Sequence, residues 1–333
     1  MPFAIASRAL RRLTGEAWVF DPVGAAVRIM AVIGALAIGL ATDHVVPGAL
    51  AAGGAFFVGF GAPIELFDAN PLLLSVVSLL SGAAAIAGSV AAARGWLAVA
   101  VVSGLGALCG VAARRTPSQS WIAVQCGLAG ILATSYPTSF AGALPRALFI
   151  VAGGLAQAEV LLLARRVWRR VSPPDPSQPL SPRYALQLAI ALGFATFLER
   201  AFQMRNGYWV PMTTLLVLRP GTRQTLLRAI SRTIGTVGGA ALASAAILAW
   251  HPSRPVLAAA VAVAAAGTYV FHRATYGLFS AFITMYAVAI LAFTGQPERG
   301  IATARIVATL VGAAIGLGVQ LIDDLLEIVN RGG

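Results

Sequence analysis

The chain has 333 residues, of which 58% are hydrophobic and only 11% are charged, whereas soluble domains carry about 25% charged residues. Its net charge is +12, and all 24 basic residues are arginine, which excludes lysine chemistry such as Schiff-base catalysis. Runs of about 20 apolar residues, typical of membrane-spanning helices, recur along most of the chain. The composition therefore predicts an all-α polytopic membrane protein.

Twelve apolar segments follow one another in two sets of six, after an N-terminal segment at 1–21 that we assign to the cytoplasm. The first set lies near 22–41, 47–60, 71–92, 95–112, 119–136 and 144–164. Residues 165–183, rich in proline and arginine, are typical of an exposed linker. The second set lies near 184–201, 207–218, 229–250, 255–271, 277–294 and 303–323. Residues 324–333 then form a predicted cytoplasmic tail.

The two sets of segments resemble each other in sequence. PRALFIVAGG at 145–154 aligns with ARIVATLVGA at 304–313, and the same offset of 159 aligns Arg28 with Gln187. Because six is an even number of spans, both halves would have the same orientation in the membrane. The sequence thus predicts two parallel six-helix repeats, 22–164 and 184–323, related by a pseudo-twofold axis along the membrane normal.

The arginines predict the orientation of the chain, because loops rich in arginine tend to remain in the cytoplasm. With both termini in the cytoplasm, sixteen arginines fall on the inner side and five on the outer side. The other three, Arg28, Arg146 and Arg305, lie within predicted spans or at their ends. This asymmetry explains the net charge without nucleic acid as a partner.

One stretch, NGYWVPMTTLLVLRPGTRQTLLRAISRTIGTVGGA at 206–240, places four arginines between two apolar runs. A helix that starts near Thr222 would carry Thr225, Arg228, Arg232, Gly235, Thr236 and Gly239 on one face. Small residues spaced by four let another helix approach closely, and charge that faces lipid is costly. We therefore expect this face to lie against protein or water. For Arg219 and Arg223, anchoring at the cytoplasmic surface is the simpler interpretation.

The segment before these arginines is too short to cross a bilayer. As a helix, residues 208–218 would extend about 16 Å, whereas the hydrocarbon core measures about 30 Å. The matching segment of the first half, GALAAGGAFFVGFGAP, is also short and rich in glycine. Short, interrupted segments at corresponding positions of two repeats indicate the binding region of a transporter.

The same stretch resembles the signature of the fusaric-acid-resistance (FUSC) and aromatic acid exporter family. The matching residues are Tyr208, Trp209, Pro220, Thr225, Arg228, Arg232, Gly235, Thr236 and Gly239. The resemblance implies a multi-pass protein of the bacterial inner membrane that exports aromatic or other organic acids. It implies the lipid bilayer and a small organic anion as partners, and no cofactor. Related plant proteins are anion channels.

The candidate pathway residues are cationic, aromatic or hydroxylic: Arg28, Arg146, Arg305, Tyr208, Trp209, Arg219, Arg228, Arg232, Thr225 and Thr236. Arg146 and Arg305 align as repeat mates and would attract a carboxylate bidentately, unless they snorkel to lipid headgroups. Arg28 has the same two interpretations. The aromatic pair forms either a platform for a flat substrate or part of an interfacial aromatic belt.

Two acidic residues are candidates for proton coupling. Glu159 lies inside the sixth segment, and an acid within the membrane is a functional candidate by default. Glu199 lies at the outer end of the seventh segment, next to Arg200. A local hydrogen bond or ion pair is the alternative for each. No spacing of residues suits nucleophilic catalysis or metal binding, so we expect neither enzyme activity nor a metal.

The leading hypothesis is proton-coupled export of organic anions, in particular aromatic carboxylates, by alternating access of the two halves. An anion channel or uniporter is the second hypothesis, and it needs an arginine-lined pore but no coupling acid. The third is a membrane scaffold that transports nothing. The sequence also leaves open a homo-oligomer and a periplasmic adaptor protein.

Overall fold

The computed structural model describes residues 22–61, 72–164, 181–272, 275–296 and 300–332. Within these ranges the chain forms twelve helices and no strand, so the predicted all-α class is confirmed. The N-terminal segment at 1–21 and most of the predicted linker lie outside the described residues.

The helices follow the predicted segments in order. The first six are α1 (Pro22–Ala41), α2 (Val45–Gly59), α3 (Leu72–Ala93), α4 (Leu97–Ala113), α5 (Pro117–Ala133) and α6 (Phe140–Ala164). The next six are α7 (Arg183–Ala201), α8 (Trp209–Val217), α9 (Thr222–Trp250), α10 (Arg254–Phe271), α11 (Tyr276–Phe293) and α12 (Ile301–Gly332). The predicted helix start near Thr222 is confirmed. The predicted tail is helical, because α12 continues through it.

Seven of the described helices, α1, α3, α6, α9, α10, α11 and α12, are long and apolar enough to cross a membrane. Helices α2 and α4 are apolar but shorter, with 15 and 17 residues. A chain with several such helices is a multi-pass membrane protein. The predicted number of twelve transmembrane helices stays a prediction.

The helices of the two halves pack in the same order. In the first half, α6 packs against α1, α2 and α3, while α5 packs against α3 and α4. In the second half, α12 packs against α7, α8 and α9, while α11 packs against α9 and α10. The halves meet where α1 contacts α10 and where α4 contacts α7, with smaller contacts of α2 with α11 and of α5 with α8.

Glycines on α9 allow the close approach of a neighbouring helix that their spacing predicts. A Cβ atom on Gly235 would lie 2.2 Å from the carbonyl oxygen of Gly277, and one on Gly239 would lie 2.3 Å from that of Ala281. Both carbonyls belong to α11. Since non-bonded carbon and oxygen atoms do not approach so closely, any larger residue would push α9 and α11 apart.

The short helix α8 lies at the centre of the second half. It has nine residues, or about 14 Å at 1.5 Å per residue, which confirms that this segment is short. Seven of its nine residues are buried, because α5, α7, α9 and α12 all pack against it. Such a helix ends inside the protein and presents its termini to the interior.

Candidate functional site

The buried face of α9 carries the polar and small residues that share its helical spacing. Thr225, Arg232 and Thr236 are buried, together with Gly235 and Gly239. Isoleucines, leucines and valines occupy the opposite face, which is exposed. Since charge is costly at a position that faces lipid, this orientation directs the guanidinium of Arg232 into the protein.

Arg232 and Arg305 are the most deeply buried charged residues of the site, with 0% and 2% of their surface exposed. Arg305 lies on the first turns of α12, and its guanidinium carbon is 4.7 Å from the ring centroid of Trp209, at the start of α8. The charge of Arg305 interacts with that of Arg232 and with the phenol groups of Tyr208 and Tyr276. Two like charges therefore face one interior region between α8, α9 and α12.

Five of the six guanidinium nitrogens of these two arginines lack hydrogen-bond partners among the described residues. None of the three guanidinium nitrogens of Arg232, and neither Nε nor Nη1 of Arg305, bonds to a described residue. A buried charge without a partner is strongly unfavourable, and proteins almost always satisfy the five N–H donors of a buried arginine. The site is therefore suited to a negatively charged ligand.

The acidic residues of the described part of the chain lie elsewhere. Asp43 pairs with Arg254 across 3.3 Å, and Glu327 pairs with Arg183 across 3.6 Å. The other four are on α6, α7 and the last third of α12: Glu159, Glu199, Asp323 and Asp324. None of these six forms an ion pair with either buried arginine, so an anion that reaches the site would meet no competing carboxylate among them.

Buried hydroxyl groups without partners lie on α8, α9, α11 and α12, which include the helices of the two arginines. Arg232 and Thr236, Ser280 and Thr284, and Arg305 and Thr309 are pairs spaced by four, so each pair lies on one face of its helix. None of these hydroxyls, nor that of Thr213 on α8, has a hydrogen-bond partner among the described residues. Glycines allow these helices to pack closely, because Gly235 on α9 lies against Ser280 on α11, and Gly312 on α12 lies against Thr213 on α8. We call these seven residues the buried cationic cluster: Thr213, Arg232, Thr236, Ser280, Thr284, Arg305 and Thr309.

Arg219 and Thr225, two predicted pathway residues, stabilise the turn between α8 and α9. The backbone N–H of Arg219 donates to Thr225 Oγ1 over 3.1 Å, and that hydroxyl donates to the Arg219 carbonyl over 2.7 Å. Tyr184 donates its hydroxyl to the Leu218 carbonyl over 3.0 Å. Gly221 has a φ of +93°, a conformation that favours glycine. These contacts give both predicted residues a structural role at the end of α8.

Arg228 lies one turn before Arg232 on α9 but in a different environment. It is half-buried, and its guanidinium carbon is 4.7 Å from the ring centroid of Tyr276. The hydroxyl of Tyr276 donates to the Leu216 carbonyl over 3.2 Å. Arg228 is therefore at the edge of the buried cationic cluster, on the side of α11.

Arg146 and Arg305 align as repeat mates, yet their surroundings differ. Arg146 is only half-buried, and it donates to the Tyr136 carbonyl over 3.2 Å in the connection between α5 and α6. Arg28 is buried, but it lies on α1, where its Nε donates to the Gly24 carbonyl over 2.9 Å. Its guanidinium carbon is 5.2 Å from the ring of Tyr269 on α10. The structure thus brings Arg305 together with Arg232, and not with Arg146 or Arg28.

The two acids predicted for proton coupling differ in position. Glu159 is exposed on the surface of α6. Glu199 is half-buried at the end of α7, where a Cβ on Gly207 would lie 2.2 Å from its Cγ. Tyr208 and Trp209 follow directly and are 4% and 1% exposed, so both rings lie inside the protein. Only Glu199 is therefore close to the aromatic pair that contacts Arg305.

Four hydroxyl-bearing members of the cluster were not predicted from the sequence: Thr213, Ser280, Thr284 and Thr309. A signal was available for Ser280 and Thr284, which are spaced by four in an otherwise apolar helix, YGLFSAFITMYAVAILAF. Among the described residues, no group of three or more His, Cys, Asp or Glu side chains is arranged to hold a metal ion.

Comparison with known families and proteins supports the resemblance seen in the sequence. A family model described as fusaric acid resistance protein-like matches residues 190–319. This match covers fewer than half of the residues, but it includes every member of the buried cationic cluster.

Several curated bacterial proteins match part of the chain. An uncharacterized protein of Escherichia coli K12, YhfK, is 29% identical over 136 residues, which are 41% of this chain and 19% of that protein. The inner membrane protein YccS of the same organism is 26% identical over 149 residues, or 45% of this chain and 20% of YccS. An uncharacterized protein of Haemophilus influenzae is 28% identical over 134 residues, 40% of this chain and 18% of its own length. The matched region thus spans about a fifth of the length of these relatives. No solved structure matches the chain significantly.

Proposed function

We propose that this chain, whose residues 190–319 match the fusaric acid resistance protein-like family, exports organic anions, in particular aromatic carboxylates, across the bacterial inner membrane. The observation that carries the proposal is the pair of buried guanidiniums, Arg232 and Arg305, without a carboxylate partner. A transported carboxylate would supply the missing charge.

The chemistry of the cluster suits a carboxylate. A guanidinium binds a carboxylate through two parallel N–H···O bonds, and charge-assisted hydrogen bonds contribute about 1.5–3 kcal/mol each. The ring of Trp209 lies against Arg305 and would hold the guanidinium in place for the carboxylate. Hydroxyls on α9, α11 and α12 offer further donors. Together these groups would replace the water that the anion loses on entry.

We also propose that the two halves are parallel repeats that alternate in access. Two observations support this. The packing order of α1–α6 recurs in α7–α12, and the contacts between halves, α1 with α10 and α4 with α7, are exchanged when one half is substituted for the other. That equivalence is expected for a pseudo-twofold axis along the membrane normal. The short central helix α8 then corresponds to α2, as the repeat predicts.

Two ion pairs support the proposed distribution of the helix ends between the two sides of the membrane. Asp43 and Arg254 are both assigned to the outer side, and they are in contact. Arg183 and Glu327 are both assigned to the inner side, and they too are in contact. For the driving force we retain the proton gradient as the proposal, with Glu199 better situated than Glu159 because it packs beside Gly207.

Counterflow in proteoliposomes tests the proposed function. Labelled aromatic and aliphatic carboxylates would be assayed with the wild type, Arg232→Gln, Arg305→Gln and the matched control Arg146→Gln, which changes the half-buried repeat mate. We expect saturable counterflow that falls at least tenfold in the two cluster variants and persists in the control. Absence of flux for every anion, with folded wild-type protein, would favour a scaffold. Flux without saturation or counterflow would favour a channel.

A further inference from the structure

We propose that the buried cationic cluster is never empty: a small inorganic anion such as chloride occupies it whenever the organic anion is absent, so that transport is an exchange of anions. The inference rests on the proposed function, because it concerns the same site. The inorganic anion would be the second ligand of that site and the species that returns through it.

The charge of the site favours a bound anion at all times. Arg232 and Arg305 are at least nine-tenths buried and repel each other, and the acids of the described chain are paired or located elsewhere. The energetic penalty of two uncompensated buried charges is large. An anion bound between them removes the repulsion as well as part of the desolvation penalty.

The cluster is rich in hydrogen-bond donors, which suit an inorganic anion. The cluster offers N–H groups from two guanidiniums and O–H groups from Thr236, Ser280 and Thr309, all without partners among the described residues. Donors are therefore in excess, and guanidinium carries no acceptor. Chloride accepts several such hydrogen bonds without a directional preference, so it fits a cluster that was selected for carboxylates.

An empty site would slow the return step of transport. A carrier must reorient its site twice in each cycle, once loaded and once on the return. With both guanidiniums unpaired, the return would close a low-dielectric interior around two uncompensated charges, which is slow. With an inorganic anion bound, the return resembles the loaded step. Net flux should therefore need a second anion on the opposite side of the membrane. A proton carried on Glu199 can accompany that anion, so exchange is compatible with the proton gradient as driving force.

Thermal unfolding of the purified protein tests occupancy without any transport assay. The wild type would be measured in detergent in sodium gluconate, a reference anion whose many hydroxyl groups make its desolvation costly, and then with increasing sodium chloride at constant ionic strength. We expect a saturable rise in Tm, because a ligand that binds only the folded state stabilises it. The rise should disappear in Arg232→Gln and Arg305→Gln and remain in Arg146→Gln. A wild-type Tm that is the same in both salts would overturn the proposal.

Transport of labelled benzoate tests the exchange itself. Liposomes containing the wild type and loaded with benzoate would be diluted into chloride, into unlabelled benzoate, or into gluconate. We expect efflux into chloride and into benzoate, and at least tenfold slower efflux into gluconate. Equal efflux into all three would overturn the exchange while leaving organic anion transport intact. No efflux under any condition, with a chloride-dependent Tm, would instead overturn the proposed function and leave an anion site without transport.

Discussion

At the scale of single residues, burial separates arginines that look equivalent in the sequence. Arg146 and Arg305 align as repeat mates, and each guanidinium lies over an aromatic ring, but only Arg305 is buried. Arg146 instead bonds a carbonyl in a connecting segment. A buried guanidinium with unpaired N–H groups is suited to an anion, whereas Arg146 is partly exposed and bonds the backbone.

The charge of Arg232 should decrease stability when no anion is bound. Replacing a buried ion pair by apolar residues of similar volume is often neutral or stabilises proteins by about 1–4 kcal/mol, and Arg232 has no carboxylate partner that its replacement would leave unpaired. We therefore expect Arg232→Met to raise the Tm measured in gluconate while abolishing counterflow. Arg146→Met, at a half-buried and hydrogen-bonded arginine, should not raise the Tm. A lower Tm for Arg232→Met would mean that this guanidinium is already compensated inside the protein.

We expect the aromatic face of Trp209, rather than the size of its ring, to determine the KM for counterflow. A cation–π contact between Arg305 and an aromatic ring contributes about 0.5–2 kcal/mol. Trp209→Phe keeps an aromatic face, so we expect a KM for counterflow within about threefold of the wild type. Trp209→Ala removes the face and should raise the KM by about tenfold or more. Equal values for the two variants would show that the ring does not orient Arg305.

At the scale of helices, hydropathy predicts where each helix lies but not which polar groups remain unpaired. Thr196 and Thr268 donate to the carbonyl four residues earlier on their own helices, a common way to satisfy a hydroxyl in an apolar helix. Thr236 and Thr309 make no such bond. Both kinds of threonine sit among apolar residues, so the sequence cannot distinguish them. Side-chain rotamers and the neighbouring helix decide, and these follow from tertiary packing.

The close packing of α9 against α11 predicts different effects of alanine at two glycines of α9, Gly235 and Gly238. Gly235→Ala would bring a Cβ within 2.2 Å of a carbonyl oxygen on α11, whereas nothing lies within 4 Å of a Cβ on Gly238. We expect Gly235→Ala to lower the Tm markedly and to reduce the yield of folded protein. Gly238→Ala should be neutral or stabilising, by up to about 1 kcal/mol, since alanine is the better helix former. Thermal unfolding of both variants checks this, and equal effects would contradict the packing.

At the scale of the whole molecule, the sequence predicted the number and order of the helices. Hydrophobic runs identified the twelve helices, and the arginine distribution and repeat predicted which helix ends share a side. The ion pairs of Asp43 with Arg254 and of Arg183 with Glu327 agree with that assignment. The location of the cluster could not be predicted, because it depends on α8 packing against α12 and on α9 lying between α11 and α12.

Motion between the halves gives the last prediction. Asp43, between α1 and α2, contacts Arg254 at the start of α10, so this ion pair joins the two halves at one end of the molecule. If the halves alternate in access, cysteines at positions 43 and 254, joined by a short bismaleimide linker, should stop transport. The native Cys109 and Cys126 would first be replaced by alanine, and the protein without the linker would serve as reference.

The control is a pair within one half, Arg183→Cys with Glu327→Cys, whose side chains are also in contact but belong to helices that would move together. We expect linked 43–254 protein to lose most counterflow and linked 183–327 protein to retain it, as measured in liposomes with equal linking yields. Full activity after linking 43 to 254 would mean that the halves do not separate at this end, and the anion would then have to pass through a fixed pore beside the arginines.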